Sequence, residues 1–242
     1  MKYIVSVSGG KDSTATLLWI LERRKKEDVI AVFCDTGWEM DEVYEYLKYL
    51  EDVLDIHIVK IGRKGGMKEL CLYKKCIPSL VMKFCTYELK QKPLFKFYYE
   101  NFISKGIKFI SLNGVRREES KNRSNRKFFE KRYFSFNRKR FIEYIVQPIV
   151  NWSERDVFEY IRSKGIKINP LYERGFRRVG CMPCIYDSPK IFDIVDKKYL
   201  ERLRDLEKSV SELIGKKVKW FSPKKEIILK TPSLFAPDYQ GG

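Results

Sequence analysis

The sequence predicts a doubly wound α/β fold with a mostly parallel sheet, on three observations. A β-rich run, Lys2–Val7, halts at Gly9-Gly10, apolar strand-like runs then alternate with stretches of helical spacing, and a 242-residue chain that is 44% hydrophobic can bury a full core. The first junction reads strand, tight turn, helix, because Leu17, Leu18 and Leu21 give helical spacing over residues 13–26. Residues 29–34 make a second strand, residues 40–54 a helix, residues 56–61 a strand, residues 86–103 a helix and residues 107–112 a strand. Such alternation implies βαβ units with both faces of the sheet covered. A dense basic and aromatic segment, residues 116–140, breaks the pattern, which resumes over residues 144–149. Ser153 then opens a helix through Ile161, with Asp156 placed to complete a capping box. After Asn169-Pro170 come a Gly- and Cys-containing loop, a charged helical stretch over residues 189–214 and an irregular tail over residues 232–242.

The first turn, Ser8-Gly9-Gly10-Lys11-Asp12-Ser13, has the chemistry of an anion cradle. Two glycines let the backbone turn tightly and bring its amides to an anion with no Cβ in the way, and the following helix adds the positive end of its dipole. Lys11 supplies a full charge, Ser8 and Ser13 supply hydroxyls, and Asp12 is suited to capping the helix or holding a metal ion. The G-x-x-x-x-G-K-[ST] spacing of an ordinary P-loop is absent. The second strand ends in Cys34-Asp35-Thr36-Gly37-Trp38-Glu39, which places Asp35 and Thr36 where ligands collect in a doubly wound sheet.

Further along stand Cys85-Thr86-Tyr87-Glu88-Leu89-Lys90 with Pro93, Gly114-Val115-Arg116-Arg117-Glu118-Glu119-Ser120 with Arg123, Pro148-Ile149-Val150-Asn151-Trp152, Asn169-Pro170-Leu171-Tyr172, and Arg178-Val179-Gly180-Cys181-Met182-Pro183-Cys184. With the first turn, these resemble the PP-loop superfamily and, within it, the phosphoadenylylsulfate (PAPS) reductase family in its sulfur-transfer, phage and archaeal form, from Lys2 to about Ile185. The resemblance implies an adenine nucleotide alpha hydrolase fold over residues 1–168, followed by a small Cys-containing, helical appendage over residues 169–242. It implies ATP, with Mg2+, or adenylyl sulfate or PAPS as the bound nucleotide. Ser8, Gly9, Gly10, Lys11, Asp12 and Ser13 would contact phosphates, with Asp35, Thr36 and Gly37 near ribose or adenine. Gly114, Lys90, Arg116 and Arg123 would surround the anionic end, and Lys11, Asp12, Lys90, Arg116 and Cys85 would carry the chemistry. Arginine suits that work, since its planar fork matches phosphate or sulfate.

Six cysteines with no secretory signal before them suggest a reducing, cytoplasmic setting, in which spaced thiols more often serve metal or redox chemistry than disulfides. Cys181-Met182-Pro183-Cys184 is a C-x-x-C on a loop, and Cys85 precedes a helix whose dipole would favour its thiolate. By the resemblance, Cys85, Cys181 and Cys184 approach one another and hold a [4Fe-4S] cluster, with Cys76, or else Cys71, as fourth ligand. A zinc knuckle, a redox dithiol and merely buried thiols are the alternatives. Cys34 reads as a core residue, and the single histidine, His57, as a polar strand residue outside any catalytic triad.

A formal net charge of +17 suggests a polyanionic partner, tRNA or DNA, or else a solvated, charge-rich surface. Residues 116–140 interleave basic side chains that can follow phosphates with rings that can stack on unpaired bases, or else form a lid over the nucleotide. The mixed charges of residues 197–207 read as a solvated helix face, and no run is long enough to span a membrane. The resemblance implies a nucleophilic cysteine near the C-terminus in sulfonucleotide reductases, and none follows Cys184. The leading expectation is therefore an ATP pyrophosphatase that adenylates a nucleic-acid acceptor for sulfur transfer, with a possible sulfur-donor protein. The alternatives are a reductase of PAPS or adenylyl sulfate using an external thiol, and a non-catalytic nucleotide sensor that binds nucleic acid.

Overall fold

The computed structural model describes residues 1–221. The expected tail over residues 232–242 lies outside the described residues. Six strands form one sheet: β1 (Lys2–Val7), β2 (Val29–Asp35), β3 (Ile58–Gly62), β4 (Phe109–Leu112), β5 (Phe129–Phe136) and β6 (Lys139–Val146). Their order is β3-β2-β1-β4-β6-β5, and every neighbouring pair is parallel except β5 with β6. The doubly wound, mostly parallel sheet expected from the alternation is present.

Among the described residues seven α-helices accompany it: α1 (Lys11–Leu21), α2 (Asp41–Leu54), α3 (Gly66–Lys74), α4 (Phe84–Thr86), α5 (Lys92–Asn101), α6 (Glu154–Ser163) and α7 (Lys197–Ile214). On one face Val5, Val7, Ala31 and Phe33 meet Leu17 of α1, Leu47 and Leu50 of α2 and Val157 of α6. On the other, Ile4 and Val32 meet Leu94, Phe95 and Tyr98 of α5. In α2, Val43, Tyr46, Leu47 and Leu50 fall at helical spacing on the buried face, each worth about 1.5–3 kcal/mol of apolar burial. The capping box of α6 is closed, with the Asp156 amide donating to Ser153 Oγ at 3.1 Å and the Ser153 amide donating to Asp156 Oδ2 at 2.8 Å.

Several elements differ from expectation. The helix expected over residues 86–103 is α4, a π-type turn at Tyr87–Gln91 and α5 in succession. Pro93 supplies the reason, because it has no N–H to donate and its ring would press on the carbonyl of Leu89 in a regular α-helix. The helix α3 was not expected, and α1 stops at Leu21, before a charged run with no apolar spacing. Residues 129–146 are a β-hairpin whose turn, Asn137-Arg138, takes positive φ at both residues. An Asn-led two-residue turn of that hand matches the natural twist of a hairpin. Residues 129–136 and 139–140 of the basic segment are therefore strand. His57 precedes β3, is mostly exposed and sits 3.1 Å from Glu51.

Candidate nucleotide site

The turn after β1 is built by its neighbours. Gly9 has φ 74°, which favours glycine, and its carbonyl accepts from the Asn169 amide group at 3.0 Å. Ser13 Oγ donates to the Gly10 carbonyl at 2.9 Å and accepts from the Ser8 amide at 3.1 Å. The Ser8 and Ser13 hydroxyls are 3.2 Å apart, and the Lys11 amide donates to the Tyr172 hydroxyl at 2.9 Å. The N-cap residue Gly10 has no side chain to cap α1, and the first helical amide is met instead by the Tyr172 hydroxyl.

Behind it, Gly114 at the end of β4 backs onto α1. A Cβ there would lie 2.5 Å from the Asp12 carbonyl oxygen and 2.8 Å from the Ser13 nitrogen, so only glycine fits. This approach brings Arg116 to Asp12, with Nε donating to Oδ1 at 2.6 Å and Nη1 meeting Glu118 at 2.5 Å. Arg116 is 3% exposed; burial disfavours its charge, but Asp12 and Glu118 outweigh that and hold it protonated. Lys11, 6% exposed, lies 3.1 Å from Glu154 and 3.6 Å from Asp12, with its ammonium 5.0 Å from the Tyr172 ring centre. Asp12 is thus engaged by two cations.

At the end of β2, Asp35 accepts from the Gly37 amide and the Tyr44 hydroxyl, both at 2.8 Å. Thr36 is fully buried and donates to Glu39 at 2.7 Å. The structure therefore gathers Ser8, Gly9, Gly10, Lys11, Asp12, Ser13, Gly114 and Arg116 at one place and sets Asp35, Thr36 and Gly37 at the end of the adjacent strand. Arg123 is partly exposed and paired with Glu119, whose carboxylate also accepts from the Arg116 amide at 3.2 Å. Tyr172 and Asn169, named in the sequence only as parts of a motif, prove to touch the turn directly. Glu39, Glu118, Glu154 and Arg202 carry no local sequence signal beyond their charge.

The cysteine loop borders the same edge. The Val179 carbonyl lies 3.5 Å from where a Cβ on Gly10 would stand, while Cys181 forms a β-bridge with Glu39 and the Met182 amide donates to the Trp38 carbonyl at 2.7 Å. Cys181 Sγ is 3.4 Å from Thr36 Oγ1 and 3.6 Å from Glu39 Oε1. Lys90, in the π-type turn, is held protonated chiefly by Cys181, with Glu39, Cys184 and Cys34 adding to the effect. Burial raises the Cys181 thiol, and Lys90 pulls it partly back. Burial also pushes Cys71 up to about 12 and Cys34 up to about 11.

Two expectations change here. Cys85 lies inside the three-residue α4, and burial raises its thiol, so the helix dipole does not decide its charge. Arg202 of α7 is not part of a solvated face: it donates to the carbonyls of Glu39 at 3.1 Å and of Trp38 and Met182 at 2.9 Å, while Leu203, Leu206 and Val210 are buried beside it. Cys71, Cys85, Cys181 and Cys184 border this apolar cluster and all six cysteines are free thiols. Among the described residues no three His, Cys, Asp or Glu side chains form a group able to hold a metal ion, so Cys76, Cys85, Cys181 and Cys184 are not gathered as the expected four-thiol centre.

The family model described as the phosphoadenosine phosphosulfate reductase domain matches residues 2–187. A 37.8 kDa uncharacterized protein of Escherichia phage 186 is 32% identical over 228 residues, covering 76% of this chain and 66% of that protein. An uncharacterized protein of Methanocaldococcus jannaschii is 33% identical, over 75% of this chain but 35% of its own length. The chain thus spans about two thirds of the phage relative and about a third of the archaeal one. The adenosine 5'-phosphosulfate reductase of Oceanobacillus iheyensis is 29% identical over 75% of this chain and 70% of that enzyme. Among solved structures, PAPS reductase from Candida auris in a phosphate complex superposes with a TM-score of 0.54 at 19% identity, over 75% of this chain and 81% of that one, a likeness of fold. With its phosphate turn at the head of a doubly wound sheet and three quarters of its length matched, the chain belongs to the PAPS reductase domain family of PP-loop enzymes.

Proposed function

We propose that the protein cleaves ATP between its α- and β-phosphates, adenylates an acceptor and serves sulfur transfer to that acceptor. The observation that carries this reading is the joining of a phosphate turn to a thiol: Val179 abuts Gly10, and two residues on Cys181 faces Thr36, Glu39 and the cation of Lys90. In the proposed reaction an acceptor oxygen attacks the α-phosphorus, the bond to the bridging oxygen breaks and pyrophosphate leaves with that electron pair. Sulfide delivered by a donor protein then attacks the activated acceptor atom, the bond to sulfur forming as the bond to oxygen breaks and AMP leaves with that electron pair. The amides of the turn, the Ser8 and Ser13 hydroxyls and Lys11 would hold the departing pyrophosphate, where fixed donors stabilise developing charge without reorganising. Arg116 would hold Asp12 and the mouth of the turn in place, and Asp35, Thr36 and Gly37 would take the nucleoside. Mg2+ enters with ATP as part of the substrate. Among the described residues the thiols are not gathered for a cluster or zinc site, and no step runs through one; an external sulfur-donor protein would supply the sulfide, and Cys181 and Lys90 would position it.

A second reading is favoured by the adenosine 5'-phosphosulfate reductases among the relatives. A thiolate from a partner would attack the sulfate sulfur, AMP would leave as the S–O bond breaks, and a second thiol would release sulfite as a disulfide forms. One assay separates the two. Purified protein with ATP and magnesium is expected to release pyrophosphate and AMP, faster with acceptor RNA or DNA; sulfite from adenylyl sulfate or PAPS with dithiothreitol, and no pyrophosphate from ATP, would replace the first reading by the second.

A further inference from the structure

The hairpin of β5 and β6 has two unlike faces. Its inner face is sealed by Phe134 stacked on Phe95 of α5 at 4.3 Å, by Ile145, and by Glu143 paired with Arg132. Its outer face carries Phe129, Lys131, Tyr133 and Ser135 from β5 and Arg140, Ile142 and Tyr144 from β6, while Phe128, just before β5, meets Trp19 of α1 edge-on. Among the described residues no helix covers the paired ones: Phe129, Tyr133, Ile142 and Tyr144 are each between 43% and 52% exposed. Four large apolar side chains left open on one small sheet face are unusual for a surface with no partner.

The charge around these rings names the partner. Residues 126–140 hold seven basic side chains and a single carboxylate, Glu130, which is taken by Arg126 at 2.7 Å. Among the described residues Lys127, Lys131, Arg138, Lys139 and Arg140 have no carboxylate within 4.0 Å, so no described acidic group balances their field. Two of them already flank a ring, with Arg140 4.3 Å and Lys131 5.2 Å from the centre of Tyr133. Phe129 and Tyr144 are stacked at 5.9 Å and 17°. Rings two residues apart on a strand recur at about 7 Å. Cations among flat, exposed rings suit a polyanion whose own flat groups are free to stack, and a duplex hides those groups.

We propose that this outer hairpin face binds single-stranded nucleic acid. The face leads to the site. Val146 at its Phe129 end pairs with Leu112 of β4, whose next turn puts Gly114 against Asp12. A strand lying across the rings can therefore run over the carboxyl edge of the sheet towards the phosphate turn. The inference names the acceptor class of the reaction proposed above, yet it rests on the hairpin's own surface and is tested by binding alone.

Fluorescein-labelled oligouridine and oligothymidine of about twelve nucleotides, titrated with the full-length protein at low salt, are expected to bind, and a duplex of similar length to compete more than tenfold less well. The logarithm of the affinity should fall against the logarithm of salt with a slope between about −2 and −4. Tyr133→Ser/Tyr144→Ser should weaken binding by about tenfold or more, the loss expected for one or two stacked bases. Arg138→Gln/Lys139→Gln, at the exposed turn, should shallow the slope by about 1 and keeps the test open if the ring variant fails to fold by circular dichroism. No binding near 50 mM salt, equal competition by duplex, or undiminished affinity in a folded ring variant would overturn the proposal. So would a dimer seen in sedimentation that the ring variant breaks, because a second copy would then be the occupant. Pyrophosphate release from ATP, measured in parallel, separates the two readings: a failed hairpin leaves it unchanged, and a failed phosphate-turn assignment leaves oligonucleotide binding unchanged.

Discussion

At the phosphate turn Lys11 and Arg116 are buried and each faces two carboxylates, whereas on the hairpin Lys131, Arg138, Lys139 and Arg140 are exposed and face none among the described residues. Both regions are basic in sequence, so charge alone does not tell them apart. A buried, paired cation has a fixed position and is costly to unpair, which suits a group that must meet one phosphate at one distance. Exposed, unpaired cations are screened within about 10 Å and add up to a field that holds a flexible polyanion loosely. The first region is machinery with a defined geometry, and the second is a surface with a sum of charge.

That contrast can be broken most directly at Lys11. Lys11→Ala should lower ATP turnover by about a hundredfold or more while leaving the fold intact, because its main partner, Glu154, is half exposed and regains water. Lys139→Ala, by contrast, should change turnover measured without nucleic acid less than about twofold; comparable losses in the two variants, measured as pyrophosphate release, would erase the distinction. A smaller effect sharpens the account of how the buried pairs are set. Gly114→Ala must push β4 off α1, so a loss of roughly 1–3 kcal/mol in urea unfolding and a matching loss of nucleotide affinity are expected. An unchanged unfolding midpoint would show that Arg116 does not depend on that approach.

The smallest effect concerns buried thiols rather than cations. Burial raises Cys71 from 9.0 to about 12, so the folded state keeps a proton that the unfolded state releases. The stability this contributes is complete below pH 9 and is lost as pH climbs towards 12. By pH 10 the unfolding midpoint should fall by an amount equivalent to about 1 kcal/mol, and Cys71→Ala should flatten that part of the profile. An equally steep profile in the variant would assign the loss to other groups.

The parallel half of the fold was legible because β1, β2 and the flanking helices carry near-continuous apolar runs and helical periodicity, which depend only on neighbours in sequence. The turn at Ser8–Ser13 was legible for the same reason, since its glycines, hydroxyls and lysine are consecutive. The hairpin was not: FEKRYFSF hides an alternation in which aromatic residues point both ways, and its turn has Asn137-Arg138 where Asn-Gly would have announced it. Nor were the partners of the site legible. Glu154 pairs with Lys11 and Arg202 grips the Trp38 carbonyl across more than a hundred residues of chain, a fact of topology with no local mark. The arrangement of the thiols was not legible for a related reason, because C-x-x-C spacing shows that two sulfurs can meet and says nothing of where Cys76 and Cys85 end up.

Arg202 has a consequence for how the chain is made. Its guanidinium fastens carbonyls of Trp38, Glu39 and Met182, so a late helix determines how the Cys181 loop is seated beside an early one. A chain growing on the ribosome can form β1, α1 and β2 long before residue 202 emerges, and domains tend to fold from the N-terminus as they do so. The turn after β1 thus has time to take shape while the Cys181 loop is still unanchored, and the two are joined only once α7 has been made.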